Sequence, residues 1–192
     1  MNIRTRSSEY HYTKDQILDE KLEIDQAKKN LKKFEILYDR YYERVFRFIY
    51  QRVQTESQAS DLTSDTFTRA MENLTSYQFK GVPFASWLYR IARNLVYKEY
   101  KKNNSIRQVN YFSQDILDIA EEVDDGNEAL KKRELLIASI KKLNNSDTEL
   151  IEMKYFEKRS YREIASIINT TENNAKIKTY RVVQKLKSII NS

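Results

Sequence analysis

Residues 160–187 read SYREIASIINTTENNAKIKTYRVVQKLK. Ser160 followed by Glu163 is an S-x-x-E capping box, in which hydroxyl and carboxylate satisfy otherwise unpaired amides, so a helix is expected from about 161. Thr171 is a plain N-cap residue, and a second helix is expected from about 172. Between them Asn169 suits the left-handed turn conformation usually given to glycine, and Ala165 is small enough for helices to cross closely. The stretch therefore reads as a helix-turn-helix.

At about 100° per residue, Ala175, Thr179, Val182, Val183, Leu186 and Ile190 fall on one face of the second helix. Asn173, Ile177, Tyr180 and Gln184 lie opposite, flanked by Lys176 and Arg181. An isoleucine on a polar face has a use in a DNA major groove, against a thymine methyl. Asn173 and Asn174 can read base edges there, and Lys176, Lys178 and Arg181 can neutralise phosphates. Thr171 and the helix N-terminus can take a further phosphate.

Upstream of this block, Ser146 with Glu149 reads as another capping box, placing a helix start near 147. A preceding helix over about 128–143 would supply Leu130, Ile137, Ile140 and Leu143 to a small core. Before it, Ser113 to Glu128 carries seven carboxylates (Asp115, Asp118, Glu121, Glu122, Asp124, Asp125, Glu128) and no Lys or Arg, a composition that reads as an acidic linker.

The N-terminal half carries long helical periods. Ile17, Ile24, Leu31, Tyr38 and Val45 recur every seven residues, with Ala27, Phe34, Tyr41 and Phe48 offset by three, which predicts one helix from about Thr13 to Arg52. Its stripe is expected to pack into its own domain rather than a coiled coil, and the part before residue 30, with little core of its own, to dock a partner or fray. A second helix is expected over 57–74, with Ala59, Leu62, Phe67, Ala70, Met71 and Leu74 inward and Asp61, Asp65 and Glu72 outside. Ser76 to Val82 should be a loop, because Pro83 disfavours helix in the residue before it and suits the first turn of the next. The helix that follows, PFASWLYRIARNLVYKEYKK, buries Phe84, Trp87, Leu88, Ile91, Ala92 and Leu95 and leaves Arg90, Arg93, Asn94, Tyr97 and Lys98 on its other face. With Tyr77, Phe79, Lys80 and Tyr100, these interleave aromatic rings and cations, a mixture suited to single-stranded nucleic acid, whose bases stack on rings while cations follow the backbone.

Composition agrees with this reading. Two glycines (Gly81, Gly126) and one proline (Pro83) in 192 residues are too few for a β-rich or Rossmann-like chain. The fold class expected is all-α: two small helical domains joined by an acidic linker, the C-terminal one carrying the helix-turn-helix. With no cysteine and only His11, no Cys/His zinc cluster, disulfide framework or His-dependent nucleophile arrangement is available, so no catalytic residue, metal or cofactor is expected. Thirty-four Lys and Arg against 28 Asp and Glu leave +6, a weak pointer to a polyanion. No apolar run approaches the roughly 18 residues of a membrane span and the start MNIRTRSSEYHY has no apolar signal core, so a cytosolic protein is expected.

Three motifs in order carry a family resemblance: Asp61, Leu62, Asp65 and Phe67 as Asp-Leu-x-x-(Asp/Glu)-x-Phe, Trp87 to Asn94 as Trp-Leu-x-x-Ile-Ala-Arg-Asn, and the terminal helix-turn-helix. Over roughly residues 31–190 the chain resembles the sigma factors of bacterial RNA polymerase, specifically the small extracytoplasmic-function (ECF) group. The resemblance implies domains at 31–105 (region 2, polymerase docking and promoter melting), 106–127 (linker) and 128–192 (region 4), and residues 1–30 ahead of them read as an N-terminal helical extension. It implies that Asp61, Leu62 and Asp65 dock the clamp helices of the largest polymerase subunit. It further implies that Tyr77, Phe79, Lys80, Arg90, Arg93, Asn94, Tyr97 and Lys98 open the minus-ten element and hold its bases. Thr171, Asn173, Asn174, Lys176, Ile177, Lys178 and Arg181 would read the minus-thirty-five element. The linker would run toward the RNA exit path, and an anti-sigma protein is an implied partner beside core RNA polymerase and duplex and single-stranded promoter DNA. Thr179 stands where an apolar residue is usual, Asn169 where glycine is usual, and the first thirty residues have no counterpart in minimal members. The residues by themselves leave two alternatives: a stand-alone helix-turn-helix regulator that binds its duplex without polymerase, or a helical adaptor acting through the heptad stripe and the Asp61 surface.

Overall fold

The computed structural model of the chain describes residues 12–103 and 129–190. The expected linker at 106–127 and its carboxylates lie outside the described residues, and Leu130 outside the described side chains. Every regular element among the described residues is helical, and the chain divides into two compact units, each treated by itself below.

In the first unit the elements are α1 (Lys14–Lys29), a 3₁₀ turn (Leu31–Phe34), α2 (Glu35–Tyr50), α3 (Glu56–Glu72), a 3₁₀ turn (Leu74–Ser76) and α4 (Phe84–Asn103). The single helix expected over 13–52 is thus two helices. Asn30 leaves helical geometry with φ −142°, and its side chain accepts from the Lys32 amide at 3.1 Å, so the polar side chain replaces the helix ladder with a local turn. That turn divides the heptad stripe. Leu31 is 53% exposed and Tyr38 also faces solvent, while the offset set, Ala27, Phe34, Tyr41 and Phe48, is buried with Ile24, Leu37, Val45 and Ile49.

Helices α2, α3 and α4 pack pairwise on one another, and α1 closes against α2. Phe34, Phe67 and Phe84, one from each side of this core, meet edge to face with ring centres 6.4 Å apart for both Phe34 pairs. Buried Thr63 and Thr66, which the sequence does not mark as core, satisfy their hydroxyls on the Ala59 and Leu62 carbonyls at 2.7 and 2.6 Å. Helix α1 neither frays nor stands apart: Glu20, Ile24 and Ala27 are buried in this unit, and Arg40 of α2 grips Glu23 with two bonds of 2.6 and 2.7 Å.

In the second unit the elements are α5 (Ala129–Lys141), α6 (Asn145–Ile151), a π-helical turn (Glu152–Phe156), α7 (Tyr161–Ile167) and α8 (Glu172–Ile190), with α5 and α6 both packed on α8. Leu136, Ile140, Leu143, Leu150, Met153, Val182 and Leu186 are buried, Ile137 partly. The cap of α6 differs from the expected Ser146–Glu149 box. Asn144 is the N-cap, its side chain accepting from the Asp147 amide at 2.9 Å, while Ser146 donates to the Asn144 side chain at 2.7 Å and Glu149 is buried. An asparagine two residues earlier reaches the N3 amide directly, so the helix starts before the serine can cap it.

Candidate functional site

The helix-turn-helix is assembled by the caps read from the sequence. The Ser160 hydroxyl accepts from the Glu163 amide at 3.2 Å, and the Glu163 carboxylate accepts from the Ser160 amide at 3.0 Å, closing the reciprocal box at the start of α7. Asn169 takes φ 55°, the left-handed conformation in which asparagine substitutes for glycine. Thr171 then accepts from the Asn174 amide at 3.2 Å and starts α8.

On α8 the inward row is Ala175, Thr179, Val182, Val183 and Leu186, all buried. Asn173, Asn174, Lys176, Ile177, Lys178 and Arg181 are all exposed. Ile177 is 39% exposed, and beside it on the same face Tyr180 is 63% exposed. Helical period puts Tyr180 on this face. Tyr180 thus adds a large exposed aromatic side chain to the face that carries Ile177.

The second constellation lies in the first unit, where α3, α4 and the segment between them enclose an open cavity of about 990 Å³. Tyr77, Lys80, Arg90, Asn94 and Lys98 line it, as expected, with Trp87 and Leu95 as apolar wall. Tyr77 is not an exposed stacking platform: it is 7% exposed, its ring 4.9 Å from that of Trp87 and 5.2 Å from that of Phe84. Burial raises its phenol above the ordinary tyrosine value, so it stays neutral. Phe79, Arg93 and Tyr97 do not line the cavity; Arg93 instead lies over the Tyr97 ring at 4.6 Å. Sequence reasoning missed the α3 side of the wall, where Thr68, Arg69, Glu72 and Asn73 face the cavity. One-turn spacing from Asp65 through Arg69 to Asn73 was the available signal.

The segment entering this cavity is tied at both ends to α1. Lys28 donates to the Tyr77 carbonyl at 2.6 Å with its ammonium 5.6 Å from the Tyr77 ring centre, and Glu20 accepts from the Phe84 amide at 2.6 Å. The other Glu20 oxygen accepts a short bond from the Tyr41 hydroxyl. Burial pushes the Glu20 carboxyl above its ordinary value, against the lowering effect of these donors and of Arg40.

The expected docking trio divides between two surroundings. Asp61 and Asp65 are exposed on α3 and Leu62 is half-buried, but Asp65 also lines the cavity. Among the described residues no group of three or more His, Asp or Glu side chains is placed to hold a metal ion, and no helix is long and apolar enough to cross a membrane.

A helix-turn-helix with an exposed polar and basic face, in a chain whose other unit holds a cation-lined cavity beside an aromatic wall, has the features of a nucleic-acid-binding protein. The chain matches the family models Sigma-70 region 2 over residues 37–106 and Sigma-70, region 4 over residues 133–186. It is 34% identical over 159 residues to the ECF RNA polymerase sigma factor BldN of Streptomyces coelicolor, covering 80% of this chain and 59% of BldN. It is 27% identical over 157 residues to the ECF RNA polymerase sigma factor SigM of Bacillus subtilis, covering 81% of this chain and 93% of SigM. The solved sigma factor RpoE of Bartonella quintana, in complex with the anti-sigma factor NepR, shares the fold with a TM-score of 0.54 at 19% identity, over 83% of this chain and 98% of that one. The chain belongs to the sigma factors of bacterial RNA polymerase, in the ECF group, whose members bind core polymerase and promoter DNA.

Proposed function

We propose that this sigma factor divides promoter recognition between its two units. Helix α8 reads the minus-thirty-five element as duplex, with Asn173, Asn174 and Ile177 toward base edges and Thr171, Lys176, Lys178 and Arg181 toward phosphates. The cavity between α3 and α4 takes an unstacked base of the minus-ten element, and Arg93, Tyr97 and Phe79 stand along the strand outside it. Asp61 and Leu62, with Asp65, dock the polymerase clamp helices. The chain performs no catalytic step, works in the cytoplasm where polymerase is, and has an anti-sigma protein as a further partner of the kind NepR is to RpoE.

The observation that carries this reading is the cavity. It is large enough for a nucleobase, has Tyr77 and Trp87 as an apolar wall, and has Lys80, Arg90 and Lys98 in its lining, where a phosphate backbone would pass. A base captured there offsets part of the cost of unpairing the duplex. The test is binding of the reconstituted holoenzyme to forked DNA with a single-stranded non-template minus-ten segment. Asn94→Ala and Lys80→Ala should each weaken this binding by about tenfold, an effect of order 1.4 kcal/mol. Binding to a duplex holding only the upstream element should stay within twofold. Equal loss on both probes would remove the cavity from promoter opening.

A further inference from the structure

We infer that α1 is a brace that sets the conformation of the base-capturing segment, with Lys28 and Glu20 as positioning residues; this rests on the cavity reading above. The two bonds from α1 fall at opposite ends of one segment. Lys28 holds the carbonyl and the ring of Tyr77, where the chain leaves the α3 end, and Glu20 holds the Phe84 amide, where α4 begins. Neither side chain lines the cavity, so they act on bases only through what they hold.

Each bond meets a need the segment cannot meet itself. The Pro83 carbonyl accepts from the Ser86 amide at 2.9 Å, but the Phe84 amide at the start of α4 has no partner within the helix, and the Pro83 ring offers no acceptor to cap it. A Glu20 side-chain oxygen accepts from that amide from sixty-four residues away. At the other end Tyr77 forms the aromatic wall with Trp87, and its position sets the width of the cavity. Between them Gly81 sits at φ 67°, a left-handed conformation glycine reaches without strain, and a glycine has more conformations to lose on ordering than any other residue. Fixing the ends of the segment in the protein removes an ordering cost that would otherwise fall on DNA binding.

The brace therefore determines which base the cavity accepts and how tightly. The experiment uses the full chain reconstituted on sigma-free bacterial core polymerase, with forked DNA whose non-template single strand is a randomised pool. Bases enriched by the wild type are compared with those enriched by Lys28→Met, Lys28→Arg, Glu20→Ala and Glu20→Gln. Lys28→Met keeps the aliphatic stem and removes the donor. It should flatten the base preference and weaken binding to the enriched fork by about tenfold. Amide exchange across Gln78 to Phe84 should accelerate, with melting temperature and core-polymerase affinity unchanged. Lys28→Arg should restore selection, and Glu20→Gln, whose amide oxygen still accepts from Phe84, should match the wild type where Glu20→Ala does not.

Unchanged base selection in both Lys28→Met and Glu20→Ala, with Asn94→Ala still losing it, overturns the brace and leaves the cavity reading standing. No enrichment by the wild type and no effect of Asn94→Ala overturns both. Loss that follows a fallen melting temperature and is not restored by Lys28→Arg makes α1 a stability element only, which also overturns the inference.

Discussion

The hydroxyl of Thr179 donates to the Ala175 carbonyl at 2.9 Å, one turn back along α8, and both side chains are buried on the side of α8 opposite its exposed polar face. This is how a polar residue is accommodated in an otherwise apolar row: the hydroxyl finds its partner within its own helix and asks nothing of the core. Such back-bonding slightly weakens a helix, and burying the hydroxyl still costs desolvation. Thr179→Val should therefore raise the stability of the second unit by about 0.5 kcal/mol. Thermal unfolding checks this, and affinity for duplex promoter DNA should stay within twofold, since the substitution lies on the far side of α8.

The exposed side of α8 should respond in the opposite way. Ile177→Ala should weaken the cognate duplex about fourfold, the order of one buried methylene, and leave non-specific DNA unaffected. Arg181→Ala should weaken all duplexes and reduce the slope of log affinity against log salt by about 0.9, one phosphate contact. Titrations of holoenzyme on upstream-element duplex at several salt concentrations separate the two. An identical response from both variants would deny Ile177 a reading role.

Asp61 and Asp65 are both exposed, so replacing them costs the fold little, within about 0.5 kcal/mol each. The Asp61→Ala, Asp65→Ala pair should nonetheless abolish co-elution with core polymerase on a sizing column, each lost charge contact weakening the complex by about 2 kcal/mol. Because Asp65 also lines the cavity, Asp61→Ala alone is the cleaner probe of docking. Retained co-elution by the double variant would move the docking surface elsewhere on the unit.

Glu20 should make stability depend on pH. Burial raises its folded-state pKa above the ordinary 4.5, with Tyr41, the Phe84 amide and Arg40 opposing and Glu23 adding to the rise. Between the unfolded and folded values the native state binds the extra proton. Its contribution is therefore fully present below the unfolded pKa and is lost as pH rises through the folded one. Glu20→Gln removes this titration. The variant's melting temperature should gain on the wild type as pH rises from 4.5 toward 7, and the difference should vanish at the acid end. A difference that widens toward acid would mean that the carboxylate, not the acid, is the form the fold prefers.

Much of the second unit was legible because its signals are local. A capping box, an N-cap threonine and an asparagine in a left-handed turn each act within three or four residues, and α8 divides its inward and outward rows by helical period alone. The first unit was less legible. Its heptad repeat runs through Asn30 as though one helix continued, and apolar spacing gives no notice that an asparagine side chain will bond two residues ahead. Similarly, Ser146 and Glu149 satisfy the pattern of a box that Asn144 pre-empts.

The amino-acid sequence by itself determined the helical class, the motif order and the exposed face of α8, because period, charge and capping are properties of neighbouring residues. Only the tertiary structure decided that Glu20 is buried against Phe84, that Lys28 meets Tyr77, that Tyr77 is wall rather than platform, and that Asp65 faces a cavity. Those pairings join residues tens of positions apart, and their energies depend on which groups are removed from water together, which exists only once the helices have packed.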